Sequence, residues 1–420
     1  MKEAGGPVRD FERIQRVLRE LNQKSELPTV DDLDFDDTEK TFSHRTDAEL
    51  KKSARLFTLM NKPWLTNILS GVGLKTVQWG IPGAAWLMRK TIYTQFVGGT
   101  SLVSTEPTIS KLFERGVYSM LDYGAEGKER EKDFNRTMNE VLRGIEFAAR
   151  SEAVKVVTTK ISGMARNGLL EDLQKEEFVF SPELRTEYKS VMKRLDAICA
   201  QAKKLDVQIY FDAEESWMQD TLDQMVTILM RRYNTEKAIV FNTFQLYRHD
   251  RLEYLINSHT RARAANYKLG AKLVRGAYMD KERARALEMG YPSPIHRTMD
   301  ATHDDFNAAV RYCVENCDDL SSCNASHNRE SVLLQAALMK EHGVAKNHPN
   351  LFFCQLYGMS DNLTFNLAEA GYNVAKYVVY GPVKEVAPYL IRRARENTSV
   401  TGDVSRELDM IQRELKRRGI

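Results

Sequence analysis

The stretch Ala271-Lys-Leu-Val-Arg-Gly-Ala-Tyr278 decides the fold. It is a short apolar run that ends in a cation, a glycine and a tyrosine. The next segment, Met279-Asp-Lys-Glu-Arg-Ala-Arg-Ala-Leu-Glu-Met-Gly290, is rich in strong helix formers and closes on a glycine suited to a C-terminal cap. The pair reads as strand, turn and helix. In parallel α/β proteins the polar groups at the carboxyl ends of strands face the ligand, so Arg275 and Tyr278 stand where an active site is built.

Outward from this unit, further β-rich runs alternate with helical stretches. The candidate strands are Val117 to Tyr123, Val154 to Ser162, Val207 to Ala213, Ala238 to Gln245, Ala271 to Tyr278, Leu320 to His327, Leu351 to Tyr357 and Asn373 to Tyr380. Each is followed by enough chain for a crossover, which parallel neighbours require. The pattern predicts a (βα)8 TIM-type barrel over residues 96–400, with an open sheet as the alternative. Residues 1–95 read as a helical accessory region, with a charged helix near Asp10 to Lys24 and an acidic linker at Asp31 to Asp37. Residues 401–420 read as a C-terminal helix. Glu330 to His342 is amphipathic and ends at Gly343, and the last barrel helix is expected to begin near Pro382.

The 61 basic and 58 acidic residues leave a formal charge of +3, without the clustered basicity of a nucleic-acid binder, so no nucleic acid is expected. Five cysteines, an odd number in a long chain, argue for free thiols in a reducing compartment. Cys313, Cys317, Cys323 and His327 have irregular spacing, and no metal is expected. The most apolar stretch, Pro63 to Met88, is broken by Asn67, Lys75, Gln78, Gly80 and Pro82, which speaks against a bilayer-spanning helix. Trp64, Trp79 and Trp86 within it are expected to pack on the main domain, with interfacial anchoring as the alternative. The opening residues lack the Arg-rich, acid-poor pattern of a transit peptide, so the expected location is cytoplasmic, with peripheral inner-membrane contact; the matrix side of the mitochondrial inner membrane is the alternative.

If the runs close a barrel, their ends share one mouth: Lys160, Asp212, Asn242, Arg275 with Tyr278, His327, Tyr357 and Tyr377. Cations outnumber carboxylates in that set, which favours a carboxylate or phosphate ligand. Arg392-Arg393 in the last helix adds a forked anion clamp, and Glu396 stands where it can hold a guanidinium. The chain has no His-Glu-x-x-His, G-x-S-x-G, phosphate-loop or G-x-G-x-x-G pattern.

Lys272-Leu-Val-Arg-Gly-Ala-Tyr278, Ala325-Ser-His-Asn328, Gln355-Leu-Tyr-Gly-Met359, Lys376-Tyr-Val-Val-Tyr-Gly-Pro-Val383 and Tyr389-Leu-Ile-Arg-Arg-Ala-Arg-Glu-Asn397 resemble the proline dehydrogenase family in order and spacing. Phe96-Val-Gly-Gly-Thr100 and Phe211-Asp-Ala-Glu-Glu215 extend the resemblance, while residues 1–95 match loosely. The resemblance implies a monofunctional enzyme on a distorted (βα)8 barrel. Such an enzyme holds FAD noncovalently, oxidises L-proline to Δ1-pyrroline-5-carboxylate with hydride transfer to flavin N5, and passes electrons to a membrane quinone.

By the same resemblance, Lys160, Arg392 and Arg393 grip the proline carboxylate, Glu396 orients the arginines, and Tyr377 and Leu356 line the substrate ring. Tyr278 lies near the substrate and Asp212 is a required carboxylate beside it. Asn242, Lys272, Arg275, Gly276, Ala277, Ser326, His327 and Asn328 are implied for FAD, with Gln245 close enough to replace Asn242. Lys272 and Arg275 are exchanged relative to some family members, which leaves open which of them approaches flavin N5. Hydroxyproline dehydrogenase on the same scaffold is the runner-up, disfavoured by Tyr377. A metal-dependent barrel lyase or hydrolase using Asp212, Glu214 and His327 is the alternative of a different class.

Overall fold

Aliphatic and aromatic runs buried on both faces become the strands of a parallel sheet, as the crossover spacing requires. The computed structural model describes residues 29–60, 88–175, 177–396 and 403–420. The expected helix near Asp10 to Lys24 and the stretch 63–87 with its three tryptophans lie outside the described residues. The described residues contain nine strands: β1 (Val97–Gly99), β2 (Tyr118–Tyr123), β3 (Val154–Thr159), β4 (Gln208–Phe211), β5 (Val240–Gln245), β6 (Leu269–Val274), β7 (Leu320–Ala325), β8 (Leu351–Leu356) and β9 (Val374–Tyr380). Their order in the sheet is β1-β9-β2-β3-β4-β5-β6-β7-β8, and β9 also pairs with β8. Strands β2 to β9 thus form a closed eight-stranded parallel barrel with helices between successive strands, a (βα)8 TIM-type fold.

All eight expected runs are strands, including polar Leu320-Ser-Ser-Cys-Asn-Ala325, where burial of every residue up to Asn324 outweighs composition. The ends differ from expectation. The run expected to reach Tyr278 stops at Val274, so Arg275 lies in the following loop and Tyr278 is the N-cap of helix Met279–Met289. Glycine at 276, with φ +143°, ends the strand. Similarly, β3 stops at Thr159 and a short 3-10 turn, Ile161–Gly163, follows Lys160. Strand β1 is missing from the expected count, because Val-Gly-Gly has too little side chain to signal a strand.

The chain groups into two compact units, one containing residues 165–352 and the other residues 31–164 with 353–420. In the first, β4, β5, β6 and β7 run in register: Phe211 beside Asn242, Thr243 beside Lys272, and Lys272 beside Cys323. In the second, β9 pairs along its length with β2, while β8 and the short β1 take successive parts of its other edge. Tyr93 ties down β1 through its hydroxyl, which lies 2.8 Å from the carbonyl oxygens of both Gly99 and Gly381 and shares its one proton between them. The helix Val383–Glu396 begins one residue after Pro382, and helix Asp403–Arg417 packs on Asp47–Met60. Among the described residues, no helix is long and apolar enough to cross a membrane.

Candidate active site

Alternation along the strands decides which side chains enter the barrel. In the first unit, Asn242 bonds Asp223 on helix Ser216–Tyr233 and Phe244 packs on Tyr254 of helix Arg251–Ala264. Even-numbered positions of β5 therefore face the helix layer, and Phe241, Thr243 and Gln245 face inward. Register then places Lys272 inward beside Thr243. Its Nζ donates to Asp212 Oδ1 at 2.7 Å, and both side chains are largely buried (6% and 12% exposed). A buried ammonium is sustained by this paired carboxylate.

Arg275 is held on several sides. Its Nε donates to His303 Nδ1 at 2.8 Å, Nη1 to Ser326 Oγ at 2.8 Å and Nη2 to Ser331 Oγ at 2.9 Å. The Phe306 ring lies 4.3 Å from its Cζ. Ser326 Oγ also accepts the Asn328 N–H at 3.0 Å, and Asn328 caps helix Arg329–Glu341 through Oδ1. Gly276 and Ala277 are exposed, and a Cβ at Gly276 would stand 2.5 Å from the Tyr247 ring. Tyr278 is buried, and His327 is half-buried in the loop after β7.

Asn242 is separate from this group. Its amide donates to Asp223 at 2.8 Å in the helix layer, whereas Gln245, buried on the inward face, donates to the Glu214 carbonyl at 2.7 Å. The period of two along the strand separates these positions, which the run of apolar residues conceals.

In the second unit, Lys376 and Gln355 turn toward helix Asp361–Glu369, through Asp361 and Thr364 respectively. Their neighbours Tyr377 and Leu356, paired across β9 and β8, therefore face inward. Met120 lies in register with Tyr377, and Lys160 follows β3 in the inward phase. Lys160 Nζ donates to Glu126 Oε2 at 2.7 Å, and Arg392 donates to both oxygens of the same carboxylate, Nη2 to Oε2 at 3.0 Å. Burial alone would raise the Glu126 carboxyl, but Lys160 and Arg392 hold it well below the usual carboxylate range. Arg393 is half-buried with its guanidinium 5.6 Å from the Tyr389 ring. Glu396 is the last residue of its helix, and its side chain lies outside the described residues.

Two features of this arrangement escape a reading of the sequence. Glu126, in Gly124-Ala-Glu-Gly127 just after β2, is a carboxylate at a strand end, and that position was its only signal. His303 sits in a charged helical stretch that reads as surface. A second buried charge group surrounds Asp361: Arg45 Nη2 lies 2.6 Å from Oδ2 and Lys376 Nζ 2.9 Å from Oδ1. Glu407 joins it by accepting the Ser360 N–H. Burial, then the neighbouring Asp361, pushes Glu407 up to about 7.

The five cysteines are free thiols, all buried. Among the described residues, Cys317, Asp318 and His348 bring possible ligand atoms within 4.8 Å. There His348 Nδ1 accepts the Asn350 N–H at 3.3 Å.

A family model described as "Proline dehydrogenase" matches residues 105–406. The chain is 39% identical over 247 residues to "Proline dehydrogenase 1, mitochondrial" of Drosophila melanogaster, covering 56% of this chain and 36% of that protein. It is 31% identical over 374 residues to "Proline dehydrogenase 2, mitochondrial" of Arabidopsis thaliana, covering 79% of each. A solved structure of proline utilization A from Bdellovibrio bacteriovorus, inactivated by N-propargylglycine, superposes with a TM-score of 0.68 at 17% identity. That likeness concerns the fold and covers 94% of this chain and 41% of the other. The chain thus spans little more than a third of the fly relative's length.

Proposed function

The chain belongs to the proline dehydrogenase family, and from that premise we propose that it oxidises L-proline to Δ1-pyrroline-5-carboxylate, using noncovalent FAD and passing the electrons to a membrane quinone. One observation carries the substrate assignment: Lys160 and Arg392 already converge on a single carboxylate, that of Glu126. Two cations, one a planar fork, are the donor set that an amino-acid carboxylate needs, and Glu126 stands in for it. Arg393 adds a third charge in this reading, and Glu396 orients the pair.

The ring of the substrate packs against Tyr377, with Leu356 as its neighbour on the inward face. The positive field of the clamp disfavours the substrate ammonium, which eases the loss of a proton that oxidation at the carbon beside nitrogen requires. Fixing the carboxylate restricts the ring to few orientations and supplies near-attack geometry.

The first unit's donor set fits FAD. It offers Lys272, a guanidinium fixed at Arg275, the Ser326 hydroxyl, and the exposed residues Gly276 and Ala277. We assign FAD binding to these groups with His327 and Asn328, and to Gln245 in place of Asn242. When bound, FAD supplies the two-electron acceptor at N5. Asp212 pairs with the Lys272 ammonium, and the family resemblance assigns Tyr278 to the substrate's surroundings. The same ion pair disfavours a metal-dependent lyase or hydrolase, because a metal on Asp212 would have to displace a buried ammonium.

The fly and Arabidopsis relatives are named mitochondrial, and we adopt the inner mitochondrial membrane surface as the place of action. The catalytic part is proposed to run from 96 to 400, with 1–95 and 401–420 flanking it. The test is turnover of L-proline with a soluble quinone analogue and detection of the cyclic imine. Formation of the imine in step with quinone reduction supports the assignment, and quinone reduction without it refutes the product.

A further inference from the structure

The helix Met299–Glu315 presents His303, Phe306 and Asn307 to one place. Their spacing of three and four residues puts them on a single helix face. His303 Nδ1 accepts the Arg275 Nε–H at 2.8 Å, and Phe306 lies under the guanidinium carbon. Asn307 Oδ1 accepts the Ser331 hydroxyl at 2.6 Å, which turns a Ser331 lone pair to Arg275 Nη2. A guanidinium has no acceptor, so Nδ1 must carry a lone pair and the ring must be neutral, with its proton on Nε2.

We propose that His303 is a positioning residue for Arg275: as a neutral imidazole it fixes the guanidinium plane, and when protonated it releases it. The proposal rests on the assignment of Arg275 to the FAD site. Protonated, the ring would put an N–H against an N–H and a cation against a cation. Burial, then the Arg275 charge, lowers the His303 pKa. Asp300 and Asp304 of its own helix and Glu330 of helix Arg329–Glu341 act in the opposite sense without outweighing them. Ser326 and Ser331 do not titrate in this range, so of these three hydrogen-bond partners of Arg275 the one that titrates is His303.

The test compares the full-length protein with His303→Asn, whose amide oxygen can accept the same N–H without titrating, and His303→Leu, which offers no acceptor. Nitrogen NMR of the histidine rings, with the His303 signal assigned by its loss in either variant, should show the Nε2–H form titrating below 6.5. FAD dissociation constants from flavin fluorescence form the second readout. The wild type should lose roughly tenfold in affinity between neutral pH and pH about 5, a change of about 1.4 kcal/mol. His303→Asn should keep the neutral-pH affinity with no acid loss, and His303→Leu should be weak throughout. An Nδ1–H ring, or an acid loss that persists in His303→Asn, overturns the proposal. A wild type that binds no FAD at any pH refutes the FAD assignment instead, and the NMR arm still decides the pairing.

Discussion

Glu126 and Arg392 meet fork to fork, with Nη2 donating to Oε2 at 3.0 Å and Nη1 to Oε1. Lys160 completes the group at 2.7 Å. In the proposed reading, the Glu126 carboxylate that neutralises these cations is the group a substrate carboxylate replaces. Glu126→Gln removes its charge and keeps its shape. The variant should lower KM for proline by roughly threefold to tenfold, about 1 kcal/mol, with kcat less affected. Steady-state kinetics check this, and a raised KM would show that Glu126 aids binding rather than competing with it.

Tyr377 lies on the inward face of β9, paired with Leu356 and buried. Tyr377→Ser opens space where the substrate ring is proposed to rest. The ratio of kcat/KM for hydroxyproline over proline should rise by at least about tenfold, the scale of a changed ring contact in a packed pocket. An unchanged ratio places the substrate ring elsewhere.

Glu407 gives the protein an unusual pH dependence of stability. In the unfolded chain it ionises near its ordinary 4.5, and in the fold it is pushed up to about 7. Between those values the folded state holds the extra proton, so raising the pH through this window lowers stability, by up to about 1.4 kcal/mol per pH unit. Denaturant melts from pH 5 to 8 should show this decline in the wild type and a flatter profile in Glu407→Gln. Equal slopes would remove Glu407 as the cause.

Gly276 has φ +143°, and a side chain there would strike the Tyr247 ring. Gly276→Ala should lose flavin on purification and melt lower, with a backbone cost of order 1–3 kcal/mol. Full flavin content in a variant of unchanged melting temperature would contradict both the strain and the role.

The barrel was legible because its strands are buried on both faces and so read as apolar runs. Strand ends were less so: Arg275 extends an apolar run in sequence, yet the chain turns at Gly276 and frees it from the sheet. The face of β5 that Asn242 occupies was not legible either, because the period of two is inverted by a one-residue shift. Glu126 was missed because its partners stand 34 and 266 positions away, and no local pattern ties a short glycine-flanked loop to a distant helix. His303 was hidden in the same way, since its hydrogen bond to Arg275 exists only once helix and loop are packed.

The most direct test of the central claim is the absorbance spectrum of the purified protein, followed by anaerobic addition of L-proline. The proposal predicts a flavin spectrum that bleaches with proline and persists with L-prolinamide, which lacks the carboxylate that Lys160 and Arg392 are proposed to hold. A colourless protein, or a flavin that both compounds bleach equally, would contradict it.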